Sequence, residues 1–262
     1  LVRGGLSVPQ VLPSANGRLV ERIPASDRSH FLTTLFTKAP GHPPTAEEWE
    51  PQLFRAMGVF MGKLHRLSQG FTPSAPRFRR YDIEQDFEDM YQTGRRHLSP
   101  ADQPILQAYL DTIEEIRRLP KSPENYGLCH VDFHRGNFFL TEAGQITLFD
   151  FDDCQYAWFI YDIAMALFYA ISHDCTTPDA LDDARRFLTE FWRGYQEMFT
   201  MNAEWLRAIT LFLRLREIDL IMLIHRSMDI DNPDPCCASF MQDRREKILA
   251  KVPYCDLDFN DI

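Results

Sequence analysis

The hydrophobic and polar positions of the chain change character near residue 40. From Val8 to Thr37 the apolar residues come in short runs that read as strands. Val8-Pro9-Gln10-Val11-Leu12 and Leu19-Val20-Glu21-Arg22-Ile23 flank Ser14-Ala15-Asn16-Gly17, and an Asn-Gly pair between two such runs is the strongest short hairpin signal. The two runs are therefore expected to pair with each other. His30 to Phe36 supplies a third, Thr-rich apolar run. Lys38-Ala39-Pro40-Gly41-His42-Pro43-Pro44 then breaks all regularity. It reads as the joint between a small sheet region, residues 1–40, and a larger helical region, residues 41–262.

Beyond the joint the apolar period lengthens to that of helices. Thr45-Ala46-Glu47-Glu48 has the capping Thr and early acid of a helix start, and Leu53, Met57, Phe60, Met61 and Leu64 follow at helical spacing. That helix should stop near Gly70. A charged stretch follows, and a second helix is expected around Ile105 to Leu119, with Leu106, Leu110, Ile113 and Ile116 on one face. Between Tyr126 and Phe151 short strands return. Phe138-Phe139-Leu140 and Ile146-Thr147-Leu148-Phe149 flank Glu142-Ala143-Gly144-Gln145 as a hairpin. Helices are then expected over Ile160 to Ser172, Asp179 to Met198, Ala203 to Ile230 and Phe240 to Val252. The pattern describes an α+β chain.

Composition narrows the function classes. With 45% hydrophobic and 13% aromatic residues, the chain can bury a core without disulfide or metal staples. A net charge of −10 argues against binding a nucleic-acid backbone, which needs Lys and Arg, and suits attraction of a cationic small molecule. The six cysteines show no Cys-x-x-Cys spacing, so reduced thiols in a cytoplasmic protein are expected. The longest apolar stretch, near Leu211 to Ile224, is interrupted by Arg214, Arg216, Glu217 and Asp219, so no membrane span is expected. Glu217 and Asp219 stand inside this apolar helix. A salt bridge to Arg214 or Arg216 is the expected arrangement, and a carboxylate facing a cleft is the alternative. Oligomeric state is left open.

The chemistry is concentrated in Leu128-Cys129-His130-Val131-Asp132-Phe133-His134-Arg135-Gly136-Asn137 and Leu148-Phe149-Asp150-Phe151-Asp152-Asp153. Protein kinases carry a catalytic-loop Asp, an Asn five residues later, and a metal-binding Asp after the next hairpin. Asp132, Asn137 and Asp150 stand in that relation. One carboxylate is needed to accept a hydroxyl proton, and an amide oxygen and a second carboxylate to hold Mg²⁺ against phosphates.

On these residues the sequence resembles the aminoglycoside phosphotransferase and choline kinase family. His130-x-Asp132-x-His134-x-x-Asn137 is similar to its H-x-D-x-H-x-x-N signature. Phe149-Asp150-Phe151-Asp152 is similar to its second motif, and Tyr161-Asp162-Ile163-Ala164 to the D-[IL]-A helix start that follows. The resemblance implies a protein-kinase-like fold with a truncated small β lobe, a large mainly helical lobe and a catalytic hairpin. It also implies ATP and Mg²⁺. Carried over, Asp132 is the expected base, His134 a catalytic neighbour able to touch the transferring phosphate, and Asn137 and Asp150 the metal ligands. His130 and Asp162 are expected to brace the loop. Asp152 and Asp153 are divided between second contacts and plain exposure. No A-P-E segment follows Asp150, which favours a small hydroxylated acceptor over a protein substrate. Aminoglycoside-, choline- and homoserine-like acceptors all remain open, and the acidic balance leans toward an amine.

A Gly-rich phosphate loop and a strand Lys are not found. Since the chain opens on Leu, the expectation is a fragment of a longer kinase; a natural short form with weakened ATP cradling is the alternative. The hinge expected to contact adenine through its backbone is Phe36-Thr37-Lys38. Two rival functions stand beside the kinase: a decayed kinase-like nucleotide-binding or scaffold protein, and a zinc hydrolase built on His130, Asp132 and His134.

Overall fold

The apolar runs at the start of the chain form four short strands: β1 (Val11–Leu12), β2 (Glu21–Pro24), β3 (His30–Thr33) and β4 (Leu35–Phe36). The structure is a computed structural model that describes residues 1–171, 175, 177–230, 232–259 and 262. The strands do not pair as the Asn-Gly signal suggests. The turn itself forms, with Gly17 at φ 74° and the Ser14 N–H donating to the Arg18 carbonyl at 2.8 Å. Its flanking runs, however, separate: β1 pairs with β4 and β2 with β3, both antiparallel. Side-chain chemistry diverts the chain. Ser14 Oγ and Asn16 Nδ2 both donate to Glu21 Oε1, at 2.6 and 3.0 Å, closing a compact loop ahead of β2. The hairpin turn falls instead between β2 and β3, where Ser29 N–H donates to Asp27 Oδ1 at 2.9 Å and Arg28 adopts φ 71°. Apart from the half-buried Glu21, every residue of these strands is exposed.

The Thr45/Glu48 capping pair is present, with Thr45 N–H donating to Glu48 Oε2 at 2.9 Å and Glu48 N–H to Thr45 Oγ1 at 3.3 Å. It closes one turn only. Glu50 is extended, and helix α1 (Pro51–Ser68) starts at the next residue, where proline is well suited to the first helical position. The charged stretch that follows contains a helix the periodicity did not reveal, α2 (Ile83–His97). Its buried positions are Ile83, Phe87, Met90 and Gly94, and charged residues cover the remainder. A capping box at Asp82 and Gln85, with acid in the first turn and Arg95, Arg96 and His97 in the last, stabilises both ends. Helix α3 spans Pro104–Arg117.

The central strands are β5 (Tyr126–Cys129), β6 (Phe138–Leu140), β7 (Ile146–Leu148) and β8 (Gln155–Trp158). β6 and β7 form the expected hairpin, turning at Gly144 with φ 75°, and β5 pairs antiparallel with β8. Two upstream segments dock on the hairpin. Ser7 accepts from Leu148 N–H at 3.1 Å, and His42 exchanges two backbone hydrogen bonds with Leu140, at 3.1 and 2.8 Å. The segments on either side of β1–β4 are thereby tied to the two edges of the hairpin.

Helices α4 (Phe159–Ala170), α5 (Pro178–Met198) and α6 (Ile209–Ser227) enclose the core with α1. α1 crosses α5 at two glycines. A Cβ on Gly58 would stand 1.9 Å from the Phe191 carbonyl oxygen, and one on Gly194 would stand 2.1 Å from that of Arg55, so only glycine permits this approach. The expected helix from Ala203 to Ile230 divides into a 3₁₀ segment, Ala203–Ala208, and α6. The run expected from Phe240 to Val252 divides between α7 (Pro235–Met241) and α8 (Arg244–Leu249), because Asp243 takes the left-handed conformation. Ser172, the expected end of the helix from Ile160, lies outside the described residues. Among the described residues no helix is long and apolar enough to cross a membrane.

The ion pair of α6 also differs from expectation. Glu217 accepts from Arg244 of α8 at 2.8 Å, with both side chains buried, while Arg214 donates to the Ile248 carbonyl at 3.3 Å and Arg216 to the Tyr169 hydroxyl. A carboxylate buried in a helix interface takes the cation that arrives across that interface.

Candidate active site

The segment between β5 and β6 passes over the first turn of α4, and Asp162 in that turn holds its back face. The carboxylate accepts from His130 N–H at 2.9 Å, Val131 N–H at 2.5 Å and a ring nitrogen of His65 at 2.9 Å. The other His65 ring nitrogen bonds the Tyr195 hydroxyl at 2.8 Å, and its ring stacks on Phe159. These bonds secure Val131 at φ 70°, a conformation that strains a β-branched residue. Burial alone would raise the Asp162 carboxyl, but the hydrogen bond and charge of His65, with His130 beside it, bring it below the usual carboxylate range.

His130 is buried and spends both ring nitrogens on the backbone. Nε2 donates to the Phe149 carbonyl at 3.1 Å, which leaves Nδ1 to accept from Asp132 N–H at 3.2 Å. Burial also lowers its affinity for a second proton. Neither nitrogen is open to a metal, so the zinc arrangement of His130, Asp132 and His134 does not form. Among the described residues, the group of metal-ligating side chains close enough to converge is His65, Cys129 and Asp162, and Asp162 there is engaged as the brace.

The front face carries Asp132, His134 and Asn137. Asn137 Nδ2 donates to the Asp132 carbonyl at 2.9 Å and to Asp132 Oδ2 at 2.7 Å. His134 Nε2 stands 3.4 Å from the same Oδ2. The opposite oxygen, Asp132 Oδ1, is shielded from solvent and has no hydrogen-bond partner among the described residues. Burial works to raise the Asp132 carboxyl, but His134, the charge of Arg216 and the Asn137 amide together hold it below its ordinary value.

Asp150 follows the hairpin at φ 62°, and its neighbour Phe149 is tied on both sides. Phe149 N–H donates to the Asn137 carbonyl at 2.9 Å, and the Phe149 carbonyl accepts from His130. The backbone thus brings Asp150 to the end of the loop that bears Asn137. The Asn137 amide nitrogen is committed to Asp132, so its oxygen remains as a donor, and Asp150 is exposed. A carboxylate and an amide oxygen are hard donors that fit a divalent metal ion. Asp152 and Asp153 are also exposed, and Arg80 donates to the Asp152 carbonyl.

A cavity of about 420 Å³ lies elsewhere, between α1 and the hairpin turn, but the one at the catalytic hairpin is larger, about 520 Å³. It is lined by Phe36 and Thr37 from the strand region, Phe139 and Phe149 from the hairpin, and Asp150 to Asp152. Of the expected hinge, Phe36 and Thr37 line it and Lys38 does not. The Thr37 N–H is engaged by the Gln10 carbonyl at 2.9 Å.

Several polar groups gather near Asp132; Arg216, Asp219 and Asp153 were named in the sequence, whereas Asp86, Gln155 and Tyr169 were not. Asp86 of α2 accepts from Gln155 Nε2 at 3.4 Å. Arg216 donates to Tyr169, whose ring packs on His134 with centroids 4.6 Å apart. Asp219 is buried, and its Oδ1 has no hydrogen-bond partner among the described residues. Burial raises the carboxyls of Asp86 and Asp219, and Asp86 adds its repulsion to Asp219. Asp153 is raised too, by desolvation and by Asp132. His65 had a signal, a polar residue on the apolar face of α1; the others gather only through tertiary contact.

Comparison with known proteins agrees with this geometry. Residues 1–205 match the phosphotransferase enzyme family. The chain is 37% identical over 262 residues to amicoumacin kinase of Bacillus subtilis strain 168, covering 99% of this chain and 76% of that one. A solved amicoumacin kinase in complex with AMP-PNP, Ca²⁺ and Ami superposes with a TM-score of 0.90 at 30% identity, over 99% of this chain and 77% of that one. Spectinomycin phosphotransferase, solved with ADP and spectinomycin, shares the fold at a TM-score of 0.57 and 14% identity, with coverages of 100% and 80%. The protein-kinase-like fold is thus confirmed. On sequence and structure together, the chain belongs to the phosphotransferase enzyme family, as a small-molecule kinase that takes an alcohol group as acceptor.

Proposed function

We propose that this kinase moves the γ-phosphate of ATP to a hydroxyl of an amine-bearing small molecule, with Asp132 as base. The observation that carries the reading is the asymmetry of the Asp132 carboxylate. Oδ2 is anchored by Asn137, while the shielded Oδ1 has no partner among the described residues. A buried acceptor without a donor is costly, and a substrate hydroxyl would satisfy it. The acceptor oxygen then bonds to the γ-phosphorus, the bond from that phosphorus to the bridging oxygen breaks to release ADP, and the hydroxyl proton passes to Oδ1.

Asn137 and Asp150 are the proposed Mg²⁺ ligands. Bound there, the metal supplies charge neutralisation between the phosphates. Phe36, Thr37 and Lys38 are the proposed adenine hinge; Phe36 and Thr37 support this by lining the cavity that reaches Asp150, whereas Lys38 rests on the sequence alone. His134 is the proposed neighbour of the transferring phosphate. We place the strand region, residues 1–40, and the helical region, residues 41–262, as the two sides of the cleft, with action in the cytoplasm where ATP is supplied.

The amine is supported by Asp86 and Asp153, which interact electrostatically with each other and with Arg216, so that carboxylates outnumber the cation. Identity with amicoumacin kinase makes amicoumacin the first acceptor to try, followed by aminoglycoside-, choline- and homoserine-like alcohols. The test is ATP turnover with each acceptor and Mg²⁺, compared with Asp132→Asn and Asp150→Ala. Loss of turnover in both variants is expected. Full turnover in either would remove the assigned roles, and an inactive wild type that still binds ATP would favour a nucleotide-binding protein without catalysis.

A further inference from the structure

We infer that Tyr169 and Arg216 are positioning residues for phosphotransfer, clamping His134 against Asp132. The inference rests on the reading of Asp132 as the base. His134 lies on a loop and is partly exposed, yet its ring is fixed from several directions. Gly136 N–H donates to Nδ1 at 3.0 Å, which puts the ring proton on Nε2, facing Asp132 Oδ2 at 3.4 Å. A Cβ on residue 136 would stand 2.7 Å from the imidazole Cε1, so glycine is required for the ring to lie where it does. The remaining constraint is the Tyr169 ring, 4.6 Å away between centroids and tilted by 41°.

Tyr169 is well placed to be a fixed stop. It stands on α4, about two helical turns after Asp162 and so on nearly the same side. One rigid helix therefore carries both the brace beneath the loop and the stop beside it. The phenol is held in turn by Arg216 of α6, which donates to its hydroxyl. Arg216 also faces the carboxylates of Asp86, Asp132, Asp153 and Asp219 electrostatically, which draws it into this corner. The consequence is chemical. With Nε2–H and the Asn137 amide both directed at Oδ2, Asp132 is prevented from turning, and Oδ1 is the oxygen left for the acceptor hydroxyl. Neither Tyr169 nor Arg216 lines the cavity bounded by Phe36, Phe139 and Phe149, so nucleotide binding should be independent of them.

The experiment compares Tyr169→Phe, Arg216→Met and Arg216→Lys with wild type. Tyr169→Phe keeps the packed ring and removes only the hydroxyl, and thermal unfolding confirms that each variant is folded. The first readout is the His134 imidazole nitrogen–proton correlations, recorded without substrate. The second is kcat with the best acceptor beside KM for ATP. The clamp predicts altered His134 correlations in Tyr169→Phe and Arg216→Met. It also predicts a fall in kcat of about 10- to 100-fold, the scale of a small misplacement, with KM for ATP unchanged and partial recovery in Arg216→Lys. Unchanged His134 correlations would overturn the proposal, as would a kcat loss matched by an equal rise in KM for ATP. If wild-type protein shows no phosphotransfer while His134 still responds in both variants, the assigned reaction fails and the clamp stands.

Discussion

The two faces of the loop from His130 to Asn137 are built on opposite terms. On the back face, Asp162 is buried and fully engaged by His65, His130 and Val131, and each His130 nitrogen has a backbone partner. On the front face, Asp132 keeps one oxygen unpartnered and Asp150 is exposed. The difference teaches that the open groups depend on the closed ones. A site carrying Val131 and, after the hairpin, Asp150 in left-handed conformations, with an unsatisfied carboxylate oxygen, keeps its shape only if its surroundings over-determine it. Substitutions on the front should therefore cost activity without stability, and those on the back should cost stability first.

The largest effect belongs to the front. Asp132→Asn and Asp150→Ala should each lower kcat by about 10²–10⁴-fold or more, the usual contribution of a general base setting the lower scale, with thermal unfolding close to wild type. A matching loss of stability would show that the two faces are not separable. On the back, Asp162→Ala should destabilise the protein by about 3–5 kcal/mol in urea unfolding, because His65 and the His130 and Val131 N–H groups lose a buried anionic partner. The brace also has an acid limit. Since the folded state holds Asp162 below its ordinary value, its contribution is complete above the unfolded carboxylate pKa and is lost as pH falls through the lower folded one.

Tyr195→Phe removes a single hydroxyl from the far side of His65 and should cost about 1–3 kcal/mol, with kcat changing little. A large kcat loss there would mean that the brace tunes the chemistry as well as the fold. The smallest effect concerns Asp219, whose carboxyl is raised well above its ordinary value by burial. The folded state then binds more protons than the unfolded chain, so stability falls as pH rises beyond the ordinary carboxylate range. Asp219→Asn should raise the unfolding temperature at pH 7.5 and lose that advantage near pH 4. An unchanged pH dependence would show that Asp219 is ionised in the fold.

Legibility followed sequence distance. The hairpin of β6 and β7, the loop from His130 to Asn137 and the helices α1, α3, α4 and α5 were readable because their periods and turn residues lie within a few tens of residues of one another. Helix α2 was obscured because few of its positions are apolar, and its evidence lay in the Asp82/Gln85 cap instead. The Asn16-Gly17 turn misled in the opposite way, since a correct local turn says nothing about which strand lies alongside once Ser14 and Asn16 bind Glu21.

By itself, then, the sequence determined the α+β character, the Asp132, Asn137 and Asp150 spacing, and the phosphotransferase family to which that spacing belongs. Only the tertiary structure decided what stands behind and beside those residues. His65 and Asp162 are 97 positions apart, and Tyr195 and His65 are 130 apart. Arg244 displaced the nearer Arg214 and Arg216 as the partner of Glu217. Long-range partners of this kind are chosen by burial: a charge removed from water must take whichever partner the packed helices bring to it, and periodicity along the chain carries no record of that choice.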